Sequence, residues 1–367
     1  MTLAILGIGT ATPEHSIAQS DAARLAAGFA NAAPGRERAL AAIYRQSRIS
    51  TRGSVVLESP GDEPFAQRFF PPASGGDDGG PTTAARMGRY AAEAGVLGGV
   101  AARSALEAAD VQPAEITHLV TCSCTGFANP GVDLELVHAL ALDDRVARTH
   151  VGFMGCHGGF NALRVADAFA SDPTAVVLVV AVELCSLHLQ YGSRSDLVVA
   201  NSLFADGAGA VVGAGPGHPR AGRGGGWRLL GQSSRILPDS GGQMSWSIGD
   251  HGFEMTLSPQ VPQVIGRDIH GLVAEAVARH GLAVPDIRSW GVHPGGPRVV
   301  SSVREALGLE AGAVEVSEGV LRDHGNMSSA TILFILERLF ESAAEPPLVA
   351  LAFGPGLTAE VAVFDRT

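Results

Sequence analysis

The sequence carries the same succession of elements twice, and that repeat limits the folds open to it more than any other feature. In the first half a strand-like stretch, Thr117–Thr125 (THLVTCSCT), precedes a helix beginning near Cys156. A buried strand at Ala175–Glu183 (AVVLVVAVE) and a glycine-rich strand at Gly207–Val212 follow. In the second half Ser289–Gly296 (SWGVHPGG) precedes a helix beginning near Asn326, then Pro347–Gly354 (PLVALAFG) and Gly356–Phe364 (GLTAEVAVF). Matched order with glycines at matched turns predicts duplication, and two copies make a paired domain rather than a solenoid. The run Ala175–Val182 is eight apolar residues stopped by Glu183, too short to span a bilayer and suited to a buried strand. Alternating strands and helices, with Leu3–Gly9 as a strand and Ala84–Ala109 as a long helix, predict an α/β architecture with helices covering the sheet. Gly213–Gly226 (GAGPGHPRAGRGGG) is the expected boundary, giving halves 1–226 and 227–367. Ser74–Pro81 (SGGDDGGP) reads as a mobile surface loop.

Composition narrows the chemistry. The chain has no lysine; all 26 basic residues are arginine. A lysine Schiff base, lysine-anchored pyridoxal phosphate and a P-loop are thereby excluded. A net charge of −11 argues against nucleic acid or an anionic membrane surface as partner. Met1–Thr10 is apolar but lacks the basic residues of a signal peptide, and four cysteines are too few for a disulfide framework, so a cytoplasmic protein with free thiols is expected.

Three positions combine reactive side chains with turn chemistry. Cys156 lies between glycines just before a helical run, a setting that places a thiol at a helix N-terminus, where the dipole lowers its pKa below the usual ~8.5. His293 ends a strand and precedes Pro294-Gly295-Gly296, a place from which an imidazole donates a hydrogen bond or takes a proton. Asn326 opens a helix, either as an N-cap or as an amide aimed at a developing oxyanion. The repeat puts Cys156 and Asn326 at equivalent helix starts, which can converge on one cleft. Gly7-Ile8-Gly9 resembles the start of a dinucleotide fingerprint, but Pro13 stands where its helix should begin and no third glycine follows in register. Cys122 and Cys124 with Cys156 and His157 lack the second close pair of a zinc site, so no metal is expected. Arg45, Arg48 and Arg52 form a basic cluster, read as a solvated helix face or a phosphate contact.

Longer strings then identify a family. GCHGGF around Cys156, WGVHPGGP around His293, HGNMSSATILFIL around Asn326 and AFGPGLT at Ala352–Thr358 occur in order, with TCSCTGFANPGVD, SLFADG and ILPDS between them. From about Leu3 to Phe364 the chain resembles the type III polyketide synthases, the chalcone-synthase-like enzymes of the thiolase fold. The resemblance implies a duplicated, five-layered αβαβα fold and a homodimer. It implies that Cys156 takes an acyl group from a coenzyme A thioester, while His293 holds Cys156 as a thiolate. With Asn326, His293 would stabilise the enolate formed by decarboxylation of malonyl-CoA. Claisen condensation and cyclisation to a pyrone, resorcinol or related product would follow, with no metal or redox cofactor.

The same resemblance assigns cavity positions. Phe204 matches a gatekeeping phenylalanine, and Met255 stands where a second is usual. Ser328 and Phe353 match the cavity floor and the glycine-proline loop. Cys124, Thr125, Cys185 and His188 fall at cavity-wall positions, the histidine either bonding a ketide or closing the pocket. Asn129, in Gly126–Asp133, stands where plant enzymes send a methionine across the dimer interface. Arg52, then Arg48 and Arg298, are the expected coenzyme A contacts. Cys124, Cys185 and Met255 favour an alkyl starter, and Glu183–Gln190 (ELCSLHLQ) is similar to bacterial members. The competing readings are an initiating ketoacyl synthase served by acyl carrier protein and a silent acyl-binding protein of the same fold. HPGGP after the histidine speaks against the first, and retention of all three polar residues against the second.

Overall fold

The computed structural model describes residues 3–30, 37–58, 66–222, 225–342 and 344–367. β1 (Ala4–Ala11) is followed by a ribbon of β2 (Ser16–Ala18) and β3 (Thr51–Gly53), between which lie α1 (Gln19–Phe29) and α2 (Glu37–Gln46). The first copy continues through α3 (Thr83–Ala109), β4 (His118–Ser123), α4 (Val132–Leu140) and β5 (Ala147–Gly152). It ends with α5 (Gly158–Phe169), β6 (Val176–Leu184), α6 (Ser195–Leu203) and β7 (Asp206–Ala214). The second copy begins with β8 (Trp227–Ile236), the hairpin β9 (Met244–Gly249) and β10 (Gly252–Leu257), α7 (Val261–Ala278) and β11 (Ser289–Val292). α8 (Pro297–Leu307), α9 (Glu315–His324), α10 (Thr331–Glu341), β12 (Leu348–Gly354) and β13 (Thr358–Arg366) complete it.

Strand pairing repeats as the element order does. β4 is parallel to β6, β6 antiparallel to β7, and β7 antiparallel to β1. β11 is likewise parallel to β12, β12 antiparallel to β13, and β13 antiparallel to β8. β1 and β8 also pair, Ala4 with Arg228 and Ile5 with Trp227, joining both sets into one nine-stranded sheet.

Side-chain alternation builds the layers. Along β6, Val177, Val179 and Ala181 enter a central core with α5 and α10, while Val176, Leu178, Val180 and Val182 face α3 and α4. Along β12, Leu348, Ala350 and Ala352 join the same central core, while Val349, Leu351 and Phe353 face α7 and α8. The order helix, sheet, helix, sheet, helix follows, because both strands are buried on both faces and each face needs a cover. Thr82 caps α3, its hydroxyl accepting from Ala85 N at 3.3 Å, and Asp110 ends the helix in the left-handed region. The glycines of the rejected dinucleotide motif serve this packing: a Cβ on Gly9 would lie 2.3 Å from Ala105 N of α3.

One expectation on loops changes. Ser74–Pro81 is fastened rather than loose: the Asp78 carboxylate accepts from Ser74 N and Oγ and from Gly80 N, and Arg86 donates to the Gly79 and Pro81 carbonyls. The stretch read as a boundary starts inside β7, and Gly215 N and Gly217 N then bond Ala175 O and Pro173 O. Residues 223–224 of that stretch lie outside the described residues.

Candidate active site

The turn after β5 presents Cys156. Gly155 has φ +75°, and a Cβ on it would come within 2.3 Å of Pro355 Cδ, so a side chain is barred on two counts. Cys156 follows in a single 3-10 turn, Gly155–His157, and is 6% exposed. At the equivalent start in the second copy, Ser328 takes φ 48°, and its hydroxyl donates to Cys156 Sγ at 3.7 Å. Asn326 Oδ1 accepts from Ser328 N at 2.9 Å, and the Asn326 amide favours the thiolate form of Cys156. Asn326 is not the N-cap of the helix it precedes: the turn Ser328–Ala330 starts from Met327 and α10 from Ala330, neither with a side-chain cap, so the bond from Ser328 N closes a local turn and the amide lies in the chamber of the thiol.

His293 stands just beyond β11, its backbone N bonded to Leu351 O at 2.8 Å. Its ring is buried, and neither Nδ1 nor Nε2 has a hydrogen-bond partner. Burial and the nearby His157 push its pKa down to about 3, so the imidazole is neutral. Buried polar atoms left unpaired are costly and mark a place where a ligand supplies the missing bond. Cys156, His293, Asn326 and Phe353 line one cavity, with Phe204, Met255 and Val299 among its other walls.

The thiol differs from expectation. Burial pushes Cys156 up to about 11, and the Glu183 field adds to the rise, while Ser328 and Asn326 oppose it. The neutral His293 supplies no positive charge to hold a thiolate, and desolvation outweighs the helix terminus. In this resting state the pair is thiol and imidazole.

Neighbouring cavities share walls with this one. An outer cavity of about 340 Å³ shares Met244, Leu257, Val261, Gly295 and Val299 and is bordered by Arg298. On the other side a small pocket at the thiol is lined by Cys124, Thr125, Cys185 and Ser328. Beyond it lies an inner cavity of about 90 Å³ with an apolar wall that includes Ile17, Leu25, Phe29 and Leu197. Phe204 and Met255 border the inner cavity, the thiol pocket and the His293 chamber alike.

The remaining expected residues separate. Cys124 Sγ lies 3.1 Å from Ser328 Oγ, and Cys185 borders both the thiol pocket and the inner cavity. His188 lines the inner cavity, but its Nε2 is bonded to Thr125 O at 2.6 Å and its Nδ1 accepts from Phe253 N at 2.9 Å. With both nitrogens committed it closes the wall and has no bond left for a ketide. Asn129 is exposed and lines none of these cavities. Arg298 borders the outer cavity, and Arg48 is exposed beside Ser47, which also borders it. Arg52 donates to Asn201 O at 2.8 Å and Phe204 O at 2.6 Å, packs over Tyr44, and borders the inner cavity. One guanidinium nitrogen of Arg52 thus holds the gate segment, while its Nε is buried without a partner.

Sequence reasoning missed several wall residues. Trp246 Nε1 donates to Cys124 O at 2.7 Å, and Phe253 stacks on His188 at 4.1 Å between ring centres. Glu183 is fully buried and accepts from Cys124 N at 3.0 Å, Thr125 Oγ1 at 2.7 Å and Ser329 Oγ; burial pushes its carboxyl up. Its signal was available, since a carboxylate ending a long apolar strand must find buried donors.

Comparison with known proteins agrees along the whole chain. Residues 2–216 match the family described as chalcone and stilbene synthases, N-terminal domain, and residues 228–366 match its C-terminal domain. An alpha-pyrone synthesis polyketide synthase-like protein of Mycobacterium tuberculosis is 33% identical, over 99% of this chain and 91% of its own. A 1,3,6,8-tetrahydroxynaphthalene synthase of Streptomyces peucetius is 35% identical, over 97% of this chain and 91% of its own. Among solved structures, PKS-I from the brown alga Ectocarpus siliculosus superimposes with a TM-score of 0.91 at 28% identity, covering 100% of this chain and 99% of that one.

Proposed function

The chain belongs to the chalcone and stilbene synthase family and is a type III polyketide synthase, an acyl-transferring condensing enzyme of thiolase-like fold, and from that premise we propose that Cys156, His293 and Asn326 carry the reaction. The observation behind the proposal is the shared chamber, in which a buried imidazole with two unpaired nitrogens and an amide face one thiol.

Cys156 Sγ attacks the thioester carbonyl of an acyl-CoA starter as its proton passes to a His293 ring nitrogen. The new carbon–sulfur bond forms, the bond to coenzyme A breaks, and the proton returns to the departing sulfur. Malonyl-CoA then enters from the outer cavity. Asn326 Nδ2 and a His293 N–H donate to its thioester oxygen, so that loss of CO₂ leaves a stabilised enolate. The enolate carbon attacks the Cys156 thioester, forming the carbon–carbon bond and freeing the thiolate, and the lengthened chain is returned for another round before cyclisation. Neither metal nor redox cofactor enters this sequence.

The finer reading continues from the same geometry. The halves divide at 226/227, the first carrying Cys156 and the second His293 and Asn326. Arg298, exposed at the outer cavity, and Arg48, exposed next to the lining residue Ser47, meet coenzyme A phosphates. The apolar inner cavity receives an alkyl starter, and products are alkyl pyrones or resorcinols. A homodimer forms through the free edge of β5 and the exposed Phe127, Phe153 and Met154, with Asn129 reaching the partner's cavity. No helix among the described residues is long and apolar enough to cross a membrane, and free Cys122, Cys124, Cys156 and Cys185 suit a reducing cytoplasm.

The test is a split of two half-reactions. Cys156→Ala should end condensation while malonyl-CoA decarboxylation persists on His293 and Asn326. Condensation surviving in that variant would overturn the assignment.

A further inference from the structure

Most polar groups on the wall of the inner cavity are already paired. Asn201 exchanges bonds with Gln190, its Oδ1 accepting from Gln190 N at 3.0 Å and its Nδ2 donating to Gln190 O at 2.7 Å. Gln67 does the same with Phe70, accepting from its N at 2.8 Å and donating to its O at 2.7 Å. His188 has both nitrogens bonded. Ser54 Oγ donates to Ser186 Oγ at 2.7 Å, and Ser186 Oγ to Asp206 Oδ2 at 2.6 Å. All of these but Phe70 N and O and the fully buried Asp206 belong to residues whose side chains close on themselves or on backbone, and none asks for a ligand.

Arg52 differs. Its Nη1 holds the carbonyls of Asn201 and Phe204, but its Nε is buried without a partner. The guanidinium lies over the Tyr44 ring, 5.6 Å from its centre. Among the described residues Asp206 is the one acid that acts on it, and through its field alone. That carboxylate is engaged elsewhere: Oδ1 accepts from Ser186 N at 2.7 Å, and Oδ2 from Val55 N at 2.8 Å as well as from Ser186 Oγ. A guanidinium is always charged, and a buried charge calls for a partner. Arg52 therefore brings a positive charge and an unanswered donor to a wall that otherwise includes Ile17, Leu25, Phe29 and Leu197.

Its place relative to the nucleophile is defined by shared walls. Cys185, Phe204, Trp246 and Met255 border both the thiol pocket and the inner cavity, whereas Arg52 borders the inner cavity and neither the thiol pocket nor the outer cavity. An acyl chain on Cys156 that passes those four walls meets apolar side chains along its methylenes and, in Arg52, a cation.

We propose that Arg52 makes the inner cavity a site for ω-carboxyacyl starters, the methylenes lying on the apolar wall and the terminal carboxylate accepting from Arg52 Nε. The inference deepens the alkyl-starter reading above and rests on Cys156 as the acyl carrier. A carboxylate drawn into an apolar wall without a cation is rejected, so its acceptance is diagnostic.

The test gives the full chain malonyl-CoA with matched starters, hexanoyl-CoA against hexanedioyl-CoA and octanoyl-CoA against octanedioyl-CoA. Condensation rates and the acyl group trapped on Cys156 are both followed. In at least one pair the carboxylated starter should equal or exceed its plain counterpart in kcat/KM. Arg52→Met removes the charge, and the ratio of carboxylated to plain starter should fall about 10–100-fold, the usual worth of a hydrogen bond to a charged group. A purely structural role, through a loosened gate segment, slows both members of a pair and leaves their ratio. A contact to a coenzyme A phosphate likewise raises KM for every thioester and leaves the ratio. Rejection of both carboxylated starters by the parent chain, or an unchanged ratio in Arg52→Met, would overturn the inference. If that variant does not fold, Arg52→Gln carries the same expectation, and if neither folds the preference of the parent chain decides. Octanoyl trapped on Cys156 without either carboxylated acyl group would defeat this inference alone, whereas no acyl group of any kind on Cys156 would defeat the site assignment itself.

Discussion

Phe204 is tied to Asn326 by a parallel backbone bridge, Ala205 N donating to Asn326 O and Asn326 N donating to Leu203 O, each at 2.9 Å. The residue at the meeting of three cavities and the amide beside the thiol are therefore joined through the backbone, and Arg52 holds the same segment from the other side through the Phe204 carbonyl. Substitutions that trim side chains here without breaking the bridge should separate chemistry from folding.

Asn326→Ala removes an amide donor and keeps the bridge. Malonyl-CoA decarboxylation should fall about 10²–10³-fold, the usual cost of one oxyanion donor. Loss of the bond from Ser328 N should cost only about 1 kcal/mol of stability. Turnover and melting measured on the same variant decide the matter; a role in closing the turn alone would lower the melting point and spare decarboxylation.

Burial sets the pH dependence of the free thiol. With Cys156 pushed up to about 11, the neutral form dominates at pH 7 and thiolate grows as pH rises towards that value. Iodoacetamide inactivation should therefore keep accelerating past pH 9, by about tenfold per unit. Ser328→Ala removes a bond that favours the thiolate and should slow labelling at every pH below the thiol's own titration. A plateau above pH 7 would show that a thiolate exists in the resting enzyme.

The inner cavity should favour flexible chains over rigid rings. With equal octanoyl-CoA and coumaroyl-CoA, alkyl products are expected to predominate by mass spectrometry. Cys185→Phe places a ring between the thiol pocket and the inner cavity, and should cut use of long starters tenfold or more while sparing short ones, as blocked pockets do. Predominant coumaroyl products, or full activity of Cys185→Phe with long chains, would place the acyl chain elsewhere.

Assembly has its own test. Phe127 is 55% exposed and packs on Phe253, two residues before Asn129. Phe127→Arg should shift light scattering from dimer towards monomer and reduce condensation. A parent chain that is monomeric at micromolar concentration would remove the basis of that expectation.

Much of the fold was legible because its signals are local. The apolar run of β6, the capped and alanine-rich α3 and the glycine turn at Cys156 each announce themselves within a dozen residues. The wall of the inner cavity was not, because Tyr44, Trp246 and Phe253 meet from α2, β9 and β10, and nothing in their own segments marks that meeting. The partners of Arg52 were hidden for the same reason: it belongs to a visible basic cluster, but the two carbonyls it holds, of Asn201 and Phe204, come from far along the chain. The direction of the Cys156 shift also lay beyond a local reading, since it depends on desolvation by the assembled core and on the charge of Glu183 from the end of β6.

The most direct test of the account is to trap the acyl-enzyme. The full chain, incubated with octanoyl-CoA and quenched in acid, is digested and mapped by mass spectrometry. One octanoyl group should appear on the peptide containing Cys156, and none should remain in Cys156→Ala. An adduct on Cys124 or Cys185 in the parent chain, or an unchanged adduct in Cys156→Ala, would contradict the assignment of Cys156 as the nucleophile.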